Sequence, residues 1–202
     1  MKKRFISVIL TALVCAMTIL SGCSGGTDNT SSQDNTSKEP TYGGSVVVGI
    51  QQDIDSLDPH KATAAGTKEI LFNIFEGLVK PDENGNLTNA VASDYNISED
   101  GLVYTFTLRD GVKFHNGETV TAKDVKYSLD RVAGLLDGSA ALVSTFKTVK
   151  SVDIIEDNKV QVTIGSPNTE FIYSFTAATA AIIPYGSADK ENSDPIGTGP
   201  FK

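Results

Sequence analysis

Residues 98–134, "SEDGLVYTFTLRDGVKFHNGETVTAKDVKYSLDRVAG", constrain the fold more than any other stretch of the chain. Leu102, Tyr104, Phe106 and Leu108 alternate with Val103, Thr105 and Thr107, the period of two that turns one face of a strand toward a core. Two tight turns follow, at Asp110-Gly111 and Asn116-Gly117, where glycine supplies a left-handed backbone. Thr121 with Asp124 three positions on is a capping box, so a helix begins there. Val125, Leu129 and Val132 form its inner stripe, and Gly134 closes it. A half-buried strand followed so closely by a capped amphipathic helix requires a sheet with a helix packed on it. The charges of Ser98–Gly101 and Arg109–Gly111 read as solvated turn residues.

The flanking segments fill out this class. "GSVVVGI", 44–50, reads as a short buried strand. A polar loop containing Pro59 follows, and then Thr67 is predicted to cap a helix. Ile70, Leu71, Ile74, Phe75, Leu78 and Val79 share one face of it, and Pro81 stops it. "DENGN" is a turn. A short helix is predicted around 139–147. "SVDIIEDNKVQVTI" reads as a hairpin turning at Glu156-Asp157-Asn158, with Val160, Val162 and Ile164 alternating. "TEFIYSFTAA" is predicted helical and "AIIP" a short extended piece. Strands, helices and hairpins in this mixture define an α/β class with a mixed sheet.

The first 41 residues belong to something else. Lys2, Lys3 and Arg4 precede an apolar run, Phe5–Leu20. At about 16 residues it falls short of the roughly 20 that span a bilayer, so it reads as a secretory signal peptide. Leu20-Ser21-Gly22-Cys23 resembles the bacterial lipobox, in which the chain is cut before the cysteine and the thiol carries lipid. Residues 1–22 are thus a lipoprotein signal peptide, and Cys23 is the expected lipidation site. Residues 23–41 contain no large apolar side chain and read as a flexible tether. The expected location is the extracytoplasmic face of a bacterial cell membrane, with Cys23 anchored in the bilayer.

Charge and side-chain inventory narrow the function. The formal charge is −8, and loss of the leader's three basic residues takes it to about −11. Such a chain is a poor partner for nucleic acid or anionic lipid. The second cysteine, Cys15, lies within the leader, so the body has no thiolate metal site and no disulfide. There is no G-x-S-x-G, H-E-x-x-H or Walker loop, and no nucleophile–base pairing to support an enzyme. No cofactor and no metal is expected. His60 and His115 read as surface or loop histidines. "GTGPFK", 197–202, opens like a phosphate loop, but Pro200 removes an amide that such a loop needs.

Within 98–132, Gly101, Tyr104, Phe106, Leu108, Arg109, Gly111, Val112, Lys113, Phe114, His115, Asn116, Gly117, Thr121, Ala122, Asp124, Val125, Tyr127 and Arg131 resemble the signature of the bacterial family 5 extracellular solute-binding proteins. "GGSVVVGIQQDIDSLDPHKA", "ILFNIFEGLV" and "DPIGTGPFK" are similar to further family segments, in the family's order. The chain departs from the family in having no Trp, which members often carry near the position of Tyr95.

The resemblance implies the N-terminal portion of a two-lobed periplasmic-binding-protein-like fold over 42–202, incomplete at its C-terminus, as in a truncated gene or a fragment. It implies a substrate-binding lipoprotein of an ABC importer whose partners are a peptide or related small solute and the membrane permease subunits. Relatives are known for oligopeptides, dipeptides, nickel and sugars. A surface sensor or adhesin that retains the binding fold is the alternative, and a secreted hydrolase a weaker one. For the ligand, the loop before the first helix is expected to serve. Thr63, Ala64, Ala65, Gly66 and Thr67 are small enough to let a ligand backbone approach, and helix amides there favour an anionic group.

Overall fold

The computed structural model describes residue 45, residues 47–136 and residues 141–202, and Val48–Lys202 forms one compact unit. The segments expected to be a signal peptide and a tether, with Cys23, lie outside the described residues. In chain order the elements are α1 (Ala65–Ile74), β1 (Val79–Pro81), β2 (Leu87–Asn89), β3 (Ala92–Ile97), β4 (Val103–Leu108), α2 (Ala122–Ala133), β5 (Val149–Glu156) and β6 (Lys159–Ile164). Short 3-10 turns occupy Ser144–Thr148, Phe171–Thr176 and Ala178–Ala180.

Four strands form one sheet in the order β3-β4-β6-β5, and β1 and β2 pair as a small ribbon. Every pairing among the described strands is antiparallel, so the mixture is of helices with sheet rather than of strand directions. The two central strands carry the alternation read from the sequence. Tyr104 lies opposite Val162 and Phe106 opposite Val160, and all four are buried. Their shared face holds a cluster of rings. Phe106 meets Phe175 edge-on at 4.8 Å, and Tyr104 meets Phe171 at 5.3 Å. Such pairs contribute beyond their buried area. The hydroxyl of Tyr104 donates to the carbonyl of Asn168 at 2.9 Å, which leaves no buried polar orphan there.

Helix α2 lies on this sheet with Val125, Leu129 and Val132 in the core. Its capping box forms as predicted: the Thr121 amide and hydroxyl donate to Asp124 Oδ2 at 2.8 and 2.6 Å. Gly134 ends it at φ 74°, and the Leu135 amide reaches back to the Asp130 carbonyl. Thr121→Ala is therefore expected to lower stability by about 1 kcal/mol in urea melts of the chain. A change within error would show that this cap is dispensable.

Several expectations are corrected. The run 44–50 is not a buried strand. None of its described residues joins a sheet, and Val47 and Val48 are 98% and 70% exposed. A β-branched run favours strand only where a neighbouring backbone pairs with it. Helix α1 begins at Ala65 after an N-cap at Ala64 with no side-chain cap, and Thr67 lies inside it. It also ends early, at Ile74, and Pro81 closes strand β1 instead of the helix. The cause is tertiary. The Ile74 carbonyl accepts from the Gly199 amide at 2.8 Å, and the Asn73 carbonyl from Phe201 at 3.2 Å. Beyond it, Gly77 passes so close to Phe175 that a Cβ would sit 2.2 Å from its carbonyl oxygen. The predicted helix at 169–178 resolves into two 3-10 turns, and the one around 139–147 into the 3-10 turn Ser144–Thr148, with 137–140 outside the described residues.

Candidate ligand-facing loop and its buried anchor

Between residues 55 and 64 the chain makes a compact loop, held from within by its own polar groups. Asp55 Oδ2 accepts from the Thr63 amide at 2.7 Å, the Thr63 hydroxyl at 2.6 Å and the Ala64 amide at 3.0 Å. The Thr63 bonds, followed by those from Thr67 and Ala64, hold the Asp55 carboxyl well below the usual carboxylate range. The Asp55 amide in turn donates to Thr67 Oγ1 at 3.2 Å. The two amides just ahead of α1, those of Thr63 and Ala64, are thus taken by the chain's own carboxylate.

Beneath the loop lies a buried ion pair. Arg131, on the last turn of α2, grips Asp58 through two parallel bonds, Nη1 to Oδ1 at 2.9 Å and Nη2 to Oδ2 at 2.6 Å. Asp58 is fully buried and Arg131 is 8% exposed. Burial raises the Asp58 carboxyl, but the bonds and charge of Arg131 outweigh it and keep the group below its ordinary value. Arg131 Nη1 also donates to His60 Nδ1 at 2.7 Å, so His60 Nε2 carries the proton and donates to the Ala181 carbonyl at 2.8 Å. His60 is buried, contrary to its reading as a surface or loop histidine. Its flanking Pro59, Lys61 and turn residues resemble a surface connection, and its contacts with Arg131 and Ala181, both distant in sequence, hold it inside. Glu191, also fully buried, accepts from the Ser187 hydroxyl and from the Ile196 amide at 3.1 Å.

The same helix face is stitched further along. Asp124 Oδ1 accepts from the Tyr185 amide at 2.8 Å, and Ser128 Oγ both accepts from the Ile183 amide at 2.9 Å and lies 3.2 Å from its carbonyl. Asp124, Ser128 and Arg131 form a polar stripe at i, i+4 and i+7, bound to residues 181–185 and 58–60. His115 makes the corresponding link elsewhere. Its Nδ1 accepts from the Gly197 amide at 3.3 Å and its Nε2 donates to the Gly199 carbonyl at 2.8 Å. The glycine-rich segment therefore spends its amides on His115 and on the end of α1, not on a phosphate.

Of the predicted ligand residues, Thr63 and Ala64 end the loop while Ala65, Gly66 and Thr67 form the first turn of α1, and they do not share one surface. Thr63 and Ala65 are exposed, Ala64 and Gly66 half-buried, and Thr67 buried. Thr63 borders a depression of ≈ 380 Å3 with Lys61, Lys68, Ser144 and Thr179. Ala65 and Gly66 border a second, of ≈ 350 Å3, with Ile50, Gln52 and Glu69. Asp58, His60 and Arg131 were not legible as a unit. The available signal was an arginine beside an apolar stripe, which requires an anion if that turn is buried.

Burial pushes the His60 imidazole down to about 4 from its ordinary 6.5. The unfolded chain therefore takes up a proton near pH 6.5 that the folded chain resists until about pH 4. Stability from this group is present above pH 6.5 and is lost as pH falls through that window, in total by about 3 kcal/mol. Burial raises Glu191, which acts oppositely: its contribution is present below the ordinary carboxylate value and is lost as pH rises through its folded value. Urea melts between pH 4 and 7 should show His60→Gln reducing the acid-side loss. An unchanged slope in that variant would place the titration elsewhere.

The lobe of sheet and helix is similar in structure to solved binding proteins. The structure of AgaA from A. tumefaciens R10 with agropinic acid superposes with a TM-score of 0.68 at 29% identity, covering 74% of this chain and 31% of that one. AppA of Bacillus subtilis, solved with a nonapeptide, gives 0.68 at 27% identity, covering 81% and 34%. The glutathione-binding protein GsiB of Salmonella typhi is 30% identical over 161 residues, 78% of this chain and 31% of the relative. The family model of the bacterial extracellular solute-binding proteins, family 5, matches residues 86–202, and the chain belongs to that family. It spans about a third of the length of these relatives.

Proposed function

We propose that this chain is part of the substrate-binding lipoprotein of an ABC importer and supplies one wall of the solute site. Residues 1–22 are its signal peptide, Cys23 its lipid anchor on the extracytoplasmic face of the membrane, and 23–41 its tether. Residues 42–202 belong to the binding domain. The solute is a peptide or a related small molecule, delivered to permease subunits in the membrane. The observation that carries this reading is the loop Thr63–Gly66, open to solvent yet set on the buried Asp58–Arg131–His60 anchor. Rigid support of this kind is what binding loops have in general. Relatives solved or named with glutathione, agropinic acid and a nonapeptide support the solute class. Thr67, being buried, serves the loop's shape.

Chemical-shift mapping tests the reading. Glutathione or short peptides titrated into the labelled chain are expected to shift Thr63, Ala64, Ala65 and Gly66 saturably. Saturable binding that leaves those four amides unmoved would remove them from the site. The anchor has a separate test: mass spectrometry of the membrane fraction is expected to find an acylated Cys23 at the N-terminus. A Cys23→Ser chain that is processed and retained on membranes as before would exclude it.

A further inference from the structure

The depression beside Thr63 differs in charge from the rest of the molecule. The chain carries 25 acidic residues against 17 basic ones, yet this lining holds Lys61 and Lys68 and no carboxylate. Hydroxyls from Ser144 and Thr179 join the lysines there, the Thr63 hydroxyl being already donated to Asp55, and Leu142 adds an apolar wall. His60 lies at the same surface in its neutral form, since its Nδ1 accepts from Arg131. Two acids adjoin it: Asp55, at the rim, whose Oδ2 is occupied by the Thr63 amide and hydroxyl and the Ala64 amide, and Asp58, beneath the surface with both oxygens bonded to Arg131. Lys61 therefore keeps only a 3.5 Å contact with a charge that is already matched, and its side chain is 58% exposed. Lys68 forms no ion pair among the described residues. Glu69, its neighbour in sequence, borders the other depression, with Ala65 and Gly66.

We propose that Lys61 and Lys68 make this depression an anion-accepting subsite, which selects solutes bearing a carboxylate on the part held by this lobe. The proposal rests on the solute-binding reading and adds the class of solute. Two cations facing a concave, hydroxyl-lined surface attract a carboxylate from solution and can hydrogen-bond it there. Asp55 already occupies the Thr63 and Ala64 amides at the rim, so the lysines supply the attraction within the depression.

Two end-capped pentapeptides, Ala-Ala-Glu-Ala-Ala and Ala-Ala-Gln-Ala-Ala, differ only in that charge. At 10 mM salt, calorimetry or shift mapping on the full chain is expected to show the glutamate peptide binding about five- to tenfold more tightly. The preference should shrink at 150 mM salt, as the screening length falls from ~30 to ~8 Å. Lys61→Gln with Lys68→Gln should abolish the preference and leave binding of the glutamine peptide unchanged, with the urea midpoint confirming an intact fold. Equal binding of the two peptides by the unaltered chain overturns the subsite and leaves the solute-binding reading standing. A glutamate preference that survives the double substitution also overturns it. Failure of both peptides to bind at millimolar concentration overturns the solute-binding reading and the subsite with it.

Discussion

Replacing Arg131 by alanine is expected to lower the stability of the chain by about 3–5 kcal/mol, the largest loss of any single substitution at the loop. The reason is the charge left behind. Asp58 is fully buried, and both of its oxygens depend on the guanidinium. Breaking one side of a buried pair leaves an uncompensated ion, whereas removing both sides with apolar residues of similar size is far milder. His60 loses its Nδ1 donor in the same change. Urea melts of Arg131→Ala beside the pair Asp58→Leu with Arg131→Met make the comparison. The double variant is expected to regain much of the loss. A single variant as mild as a surface change would mean that the pair is not formed in solution. Because the pair underlies residues 58–64, the single variant should also broaden the amide signals of Thr63 and Ala64.

Phe106→Ala should follow closely, at about 3–5 kcal/mol. Its side chain is fully buried in the centre of β4, opposite Val160 and edge-on to Phe175. Four other rings, Tyr104, Phe146, Phe171 and Phe175, pack at 4.8–6.3 Å around one another, so the space left cannot close without moving several of them. Phe72→Ala is the control, since Phe72 is 45% exposed on α1. Comparable losses for the two would show that the register of β4 is wrong.

The parts of this fold that were legible are those whose signals are local. The alternation in β4 and β6 follows from one face being buried along the whole strand. The capping box at Thr121 and the stop at Gly134 are written within a few residues of where they act. Strand β3 was missed because, as an edge strand, it buries fully only Ala92 of its six residues, and so shows little alternation. The stripe Asp124, Ser128 and Arg131 was harder still. Polar residues at helical spacing are the usual mark of a solvated face. Here residues 181–185 and 58–60, distant in sequence, supply partners for every one of them. The family signature was visible as a run of residues, but its physical content is in pairs. Arg131 belongs with Asp58, and His115 with Gly197 and Gly199, each pair separated by more than 70 positions. The candidate loop was legible by its small residues. The allocation of Thr63 to one depression and Gly66 to another was not, because it depends on Gln52 and Ser144, which nothing local connects to the loop.

The junction at the end of helix α1 has a consequence in time. Gly197 and Gly199 lie so near Ile74 and Asn73 that a Cβ on either would fall within 2.0–2.4 Å of a carbonyl oxygen, and Thr198 bonds Glu76 across 122 positions. A ribosome adding about 5–20 residues per second reaches that partner only some 6–24 s after it has made the helix. Throughout that interval the end of α1 lacks the partners that fix it. The last residues of the junction act as a latch that is made late.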